Sequence, residues 1–139
     1  MSLNILVVDD SLVVRSMIIK TLRIAGVPVG QAHQAANGQE GLEIIKKEWI
    51  DLLFVDINMP VMNGEEMIER IRENDEWADL PIIVVSTEGS QTRIERLVQK
   101  GARFIHKPFS PECVREVVQD LLGITLEQSA QGVGDDSSF

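Results

Sequence analysis

Asn4-Ile5-Leu6-Val7-Val8-Asp9-Asp10-Ser11 is a short apolar run that stops on two carboxylates. Three later runs have the same form. Leu52-Leu53-Phe54-Val55 stops at Asp56, Pro81-Ile82-Ile83-Val84-Val85 at Ser86-Thr87, and Phe104-Ile105-His106 at Lys107-Pro108. A further strand, more weakly marked, is predicted over residues 29–35. Fully apolar runs alternating with amphipathic stretches indicate a parallel sheet covered by helices on both faces. The expected fold class is α/β, with five β/α units in one domain. Such sheets bind ligands beyond the carboxyl ends of their strands. Three carboxylates, a hydroxyl and an ammonium therefore gather in one crevice, a set suited to a divalent cation and a phosphoryl group.

The connecting stretches read as helices. Ser11 caps the first, in which Val14, Met17, Ile18, Thr21 and Leu22 recur at helical spacing and predict one buried face. Gly26 and Pro28 end it. Asn37-Gly38 reads as a turn before a helix with Leu42 and Ile45 inward. The loop Met59-Pro60-Val61-Met62-Asn63-Gly64 leads into a helix carrying Met67, Ile68 and Ile71, and Ile94, Leu97 and Val98 mark a helix that stops at Gly101. Ser110-Pro111-Glu112 signals a helix start through a capping hydroxyl, proline at the first position and an acid near the positive end. Val114, Val117, Val118, Leu121 and Leu122 form that helix's inward stripe. From Thr125 onward the chain turns to Gln, Ser, Gly and Asp. Residues 3–122 are expected to form the domain and 123–139 a flexible tail or linker stub.

The chain has 139 residues, enough for one domain with a real core. No apolar run approaches the ~20 residues needed to span a bilayer. The start enters a strand without a basic region, so neither a membrane span nor a signal peptide is expected. Cys113 is the single cysteine, which rules out an internal disulfide and agrees with a reducing cytoplasm. A net charge of −9 argues against nucleic-acid binding, which needs a basic face. The acidity reads as a contribution to solubility.

Asp56 has the strongest claim to chemistry. A carboxylate can attack phosphorus and form an aspartyl phosphate. The approach of anion to anion must be eased by cations around the phosphoryl oxygens. Clustered carboxylates such as Asp9, Asp10 and Asp56 repel one another unless a cation sits among them. Magnesium favours a few carboxylates together with water and phosphate oxygens. A backbone carbonyl near Asn58 can complete such a shell. Lys107 offers a point charge to the phosphate or to Asp56, and Ser86 a hydroxyl to a phosphoryl oxygen. Taken singly, each residue has a plainer reading as a helix cap, a turn residue or a solvated charge. Agreement at four strand ends outweighs those readings.

Together, Val7-Val8-Asp9-Asp10-Ser11, Asp56-Ile57-Asn58-Met59-Pro60-Val61-Met62-Asn63-Gly64, Ser86-Thr87 and Lys107-Pro108-Phe109 resemble the receiver domain of bacterial two-component response regulators. The resemblance runs in register over residues 3–122. It implies a flavodoxin-like (βα)5 doubly wound parallel sheet of strand order 2-1-3-4-5, which sets strands one and three side by side. It also implies a single-domain, chemotaxis-regulator-like signalling switch of the cytoplasm, which catalyses only its own phosphorylation and dephosphorylation. Asp56 would accept the phosphoryl group from a histidine kinase or phosphotransfer protein. Magnesium would be held by Asp9, Asp10, Asp56 and the backbone carbonyl of Asn58, with Asp10 acting directly or through water. Lys107 would contact the phosphorylated site, and the bond before Pro108 would be cis. Ser86 would be the switch hydroxyl and Phe104 the switch aromatic. The face made by the fourth helix, fifth strand and fifth helix would then change its affinity for a downstream protein, as a monomer or a phosphorylation-dependent dimer. Two positions depart from the commonest pattern. Ser86 keeps the hydroxyl of the more usual threonine, whereas Phe104 lacks the phenol of the frequent tyrosine. Asn58 and Glu88 flank the entry of attacking water and would tune the phosphoryl lifetime.

Other readings share some of these residues. A receiver cut from a longer regulator with an effector domain would carry the same motifs. An aspartyl-phosphate phosphohydrolase needs a second acid, and Asn58, two residues after Asp56, cannot serve as one. Flavin binding lacks a Ser/Thr/Gly-rich phosphate cradle after the first strand. His33 and His106 read as strand residues rather than phosphodonors. Cys113 reads as a small apolar filler inside a helix, and Trp49 and Trp77 as edge packing.

Overall fold

In the computed structural model, which describes residues 2–87 and 89–126, the apolar runs become the strands of one parallel sheet. Chain order is β1 (Leu3–Val8), α1 (Leu12–Ile24), β2 (Val29–Ala35), α2 (Gly38–Lys47), β3 (Leu52–Val55), α3 (Gly64–Glu73), β4 (Ile82–Ser86), α4 (Gln91–Gln99), β5 (Arg103–His106) and α5 (Pro111–Leu122). The spatial order is β2-β1-β3-β4-β5, the doubly wound, flavodoxin-like arrangement expected. Val8 pairs with Val55 and Val55 with Val84, so the carboxyl ends of the three central strands finish together.

Pleating divides each strand between two cores. Leu6 and Val8 pack with Leu42 and Ile45 of α2, Met67, Ile68 and Ile71 of α3, and Leu97 of α4. Ile5 and Val7 pack on the opposite face with Ile18 and Leu22 of α1 and Val114 and Val118 of α5. Each fully buried side chain of this size contributes roughly 1.5–3 kcal/mol. All five helices start on a polar cap whose side chain accepts from an amide in the first turn: Ser11, Asn37, Asn63, Ser90 and Ser110. Asn37, read from sequence as a turn residue, is thus the cap of α2.

Three expectations require correction. Met17 is 56% exposed, because α1 buries only a narrow stripe of Ile18 and Leu22 flanked by half-buried Val14 and Ile19. One residue before Ile18 is a 100° turn of the helix, enough to carry Met17 into solvent. Cys113 is exposed, since the inward face of α5 runs through Val114 and Val118. Trp49 is 77% exposed, while Trp77 does pack, half-buried, against the core. After α5 the described chain continues to residue 126. Gly123, in the left-handed region at φ 66°, turns the chain back after α5. The Leu126 amide then donates to Gln119 Oε1 at 2.6 Å, and its side chain is buried beside the core. The remainder of the expected tail, residues 127–139, lies outside the described residues.

Candidate functional site

The carboxyl ends of β1 and β3 lie side by side, and the Asp56 amide donates to the Val8 carbonyl at 3.0 Å. That bond places Asp56 next to Asp9 although 47 residues separate them. Asp9, Asp10 and Asp56 each present a carboxylate oxygen within 4.8 Å of the others. Asp9 is 2% exposed and Asp56 9%, whereas Asp10 is open to solvent. Asp9 Oδ1 accepts the Ser11 amide at 2.8 Å, and Asp56 Oδ1 accepts the Ile57 amide at 2.8 Å. In each carboxylate one oxygen is therefore tied to its own loop, and the Oδ2 atoms face the crevice.

Lys107 follows β5 and reaches across the sheet. Its Nζ lies 3.4 Å from Asp9 Oδ2 and 3.8 Å from Asp56 Oδ2. Its amide donates to the Ser86 carbonyl at 2.9 Å, which links the last residue of β4 to the lysine's position. The Lys107–Pro108 peptide is cis, as the resemblance implied. Ser86 is 1% exposed at the end of β4. Asn58 is exposed, two residues beyond Asp56. Phe104 pairs with Val84, is half-buried against the core that holds α3 and α4, and lies 6.1 Å from the His106 ring. Glu88 lies outside the described residues. His106 is exposed and His33 half-buried in β2, as strand residues should be.

Some supporting residues carried no signal in the sequence. Arg15 Nη1 donates to the Asp9 carbonyl at 2.5 Å, while its Nε donates to Gln34, so it braces the end of β1 against β2. Val61 holds a left-handed φ of 68° in the β3–α3 loop. Glu65, the second residue of α3, bridges to α4 through Arg96 Nε at 2.9 Å and Arg93 Nε at 3.2 Å. Hydrogen bonds from Arg96 and then Arg93 hold the Glu65 carboxyl below its ordinary range, although burial opposes them. Helical periodicity alone cannot show these bonds, because each joins elements far apart in sequence.

Three hard carboxylate oxygens in so small a space suit an oxygen-loving dication, and the half-buried ammonium beside them suits an anion. A family model for the response regulator receiver domain matches residues 5–119. The chain belongs to this family. It is 36% identical over 123 residues to a chemotaxis protein CheY homolog of Campylobacter jejuni, covering 87% of this chain and 93% of that one. It is 33% identical to the solved CheY4 of Vibrio cholerae, with a TM-score of 0.76, covering 87% of this chain and 99% of that one. It is also similar to a CheX–CheY–BeF3–Mg complex from Borrelia burgdorferi, at 28% identity and a TM-score of 0.78, covering 86% of this chain and 89% of that one. As a receiver domain, the protein is a phosphorylation-controlled two-component switch and not an enzyme with a separate substrate. Receiver domains bind magnesium in an acidic pocket, and this one has the matching aspartate cluster. No helix among the described residues is long and apolar enough to cross a membrane.

Proposed function

We propose that Asp56 is the phosphoacceptor of a stand-alone receiver that signals by docking. The observation that carries this reading is the Lys107 ammonium between Asp9 and Asp56, beside three converging carboxylates. Asp56 Oδ2, the oxygen not tied to its own loop, attacks the phosphorus of a phosphohistidine on a histidine kinase or phosphotransfer protein. A P–O bond forms as the P–N bond breaks, and the imidazole leaves with a proton. Asp9, Asp10, Asp56 and the Asn58 carbonyl would hold magnesium, which when bound neutralises charge on the phosphoryl oxygens. Lys107 supplies a second cation to those oxygens, and the buried Ser86 hydroxyl donates to one of them. The same arrangement presents the acyl phosphate to water, so the domain catalyses only its own phosphorylation and dephosphorylation.

Movement of Ser86 toward the phosphoryl group draws β4 and the α4 start with it, and Phe104 turns inward. The α4–β5–α5 face then changes affinity for a downstream protein, in a monomer or a phosphorylation-dependent dimer. Neither nucleic acid nor membrane takes part, and the site of action is the cytoplasm. Coverage of 93% and 99% of the lengths of two relatives supports the single-domain reading over a receiver within a longer regulator. Intact mass after incubation with a small-molecule phosphodonor tests the assignment. The wild type should gain one phosphoryl group with magnesium and none without it, and Asp56→Asn should gain none while melting cooperatively. Labelling of Asp56→Asn at the wild-type rate would overturn it.

A further inference from the structure

The opposite end of the sheet carries a cleft of about 720 Å³, between the α2–β3 and α3–β4 connections. It opens at the amino ends of β3 and β4, away from the carboxylates. Trp49 and Trp77 are the chain's two tryptophans, and both line this cleft. Trp77 is anchored by its half-buried packing and by turns in which its amide donates to Asn74 and the Leu80 amide donates to it. Trp49 is held differently. The residue is 77% exposed, yet Nε1 donates to Asp51 Oδ1 at 2.9 Å, and Asp51 Oδ2 accepts the Asn4 amide at 2.8 Å. One carboxylate thus fixes the indole to the starts of β1 and β3. The exposed ring has its single polar atom satisfied and offers only a π surface, at little further ordering cost.

The rim is acidic. Five carboxylates line the cleft against two lysines, and one lysine, Lys46, faces Glu43 at 3.9 Å. Glu48, Asp75 and Glu76 are exposed and make no ion pair among the described residues. Fixed indole faces beside unpaired carboxylates favour a cation that can stack, above all a guanidinium. We propose that this cleft docks an arginine-bearing basic segment of a partner protein, with a guanidinium over Trp49 and the flanking carboxylates matching its charge. Because the cleft and the phosphoacceptor crevice lie at opposite ends of the strands, docking here is separate from the phosphorylation reading. A partner can remain bound while the other end of the sheet exchanges phosphoryl groups.

Tryptophan emission reports on this cleft directly, and calorimetry supplies affinities where a ring is removed. The probe is a short synthetic peptide of alternating arginine and glycine, compared with a glutamate–glycine peptide and with free arginine amide. The arginine peptide should quench or shift the emission and bind well above both controls. Trp49→Ala should weaken it about tenfold, equivalent to ~1.4 kcal/mol, and Trp49→Phe less. Asp75→Asn with Glu76→Gln should weaken it several-fold. Unchanged affinity in Trp49→Ala would reduce the effect to net charge and overturn the proposal. So would equal binding of the glutamate peptide. Arginine amide binding as tightly as the peptide would overturn the assignment to a protein segment in favour of a small cation. Intact-mass phosphorylation of Trp49→Ala, expected at the wild-type rate, lets either reading fail alone.

Discussion

Gly64→Ala joins the fold to the proposed phosphoacceptor Asp56 in one substitution. Gly64 opens α3, and its amide donates to the Ile57 carbonyl at 2.8 Å. An added Cβ would lie 2.1 Å from the Asp56 carbonyl oxygen, 2.9 Å from its carbon and 3.0 Å from the Ile57 Cα. Carbon–oxygen contacts settle near ~3.3 Å or beyond, so α3 and the end of β3 must part by about 1 Å. Every atom in the way belongs to the backbone, and none can swing aside. Overpacking of this kind costs up to ~3 kcal/mol. Parting the segments also loses the Gly64–Ile57 bond, ~1 kcal/mol, offset by a similar gain from a stiffer unfolded chain. The expected net loss is therefore ~3 kcal/mol, a large share of the ~5–15 kcal/mol available to a domain. The melting temperature should fall by about 10 °C. Urea denaturation, read as a lower midpoint at constant slope, measures the loss. Phosphorylation followed by intact mass measures the displacement of Asp56 in the same variant. Gly89→Ala is the control, because its Cβ would meet nothing within 4 Å. It should change stability by less than ~0.5 kcal/mol. A Gly64→Ala loss below ~1 kcal/mol, with phosphorylation unchanged, would refute the close-approach argument.

Three further outcomes are expected. Lys107→Met leaves the buried Asp9 and Asp56 facing each other without their cation. It should cost ~1–3 kcal/mol in magnesium-free urea melts, and an unchanged midpoint would show that the ammonium does not stabilise the pair. Val61 spends a β-branched residue on φ 68° while 82% exposed, so Val61→Asn removes strain and forfeits little packing. Its urea midpoint should rise by the equivalent of ~1 kcal/mol, and a fall would mean that the exposed side chain makes a contact that matters. Glu65→Gln weakens the α3–α4 bridge by ~0.2–1 kcal/mol at neutral pH, a modest loss because water reaches Arg96. Because the folded-state pKa of Glu65 is lowered, the bridge's contribution is fully present above the ordinary value of 4.5 and is lost as pH falls through the lowered one. The stability gap between wild type and variant should stay flat down to about pH 5 and close below it; a gap that persists in acid would exclude the carboxylate as its source.

The central strand runs were legible because burial on both faces keeps them almost wholly apolar, whereas the edge strand β2, only partly buried, carries Gln31, His33 and Gln34 and was weakly marked. The change from Val8 to Asp9, Val55 to Asp56 and Val85 to Ser86 marked where each apolar run ends, and hence the crevice. Helix starts were legible for a similar local reason, since Ser11 and Ser110 satisfy amides three residues away. The α1 face was read too broadly. The spacing of Val14, Met17, Ile18 and Leu22 cannot report how wide a stripe the neighbouring sheet and α5 will cover. Leu126 is likewise one apolar residue in a polar stretch, and only docking against the core buries it.

By itself, then, the amino-acid sequence determined where strands and helices form, the caps Ser11 and Ser110, and which polar side chains stand at strand ends. Those properties depend on neighbours within a few positions, where pleat, helical repeat and capping geometry act. Tertiary structure alone decided that Lys107 reaches both Asp9 and Asp56, that Arg15 braces the Asp9 carbonyl and that Glu65 spans to α4. It also decided that Gly64 is required by the closeness of the Asp56 carbonyl, and that Trp49 and Trp77 share one cleft. Each of these is a distance between segments remote in the chain, set by sheet order and packing. No local pattern of residue types encodes it.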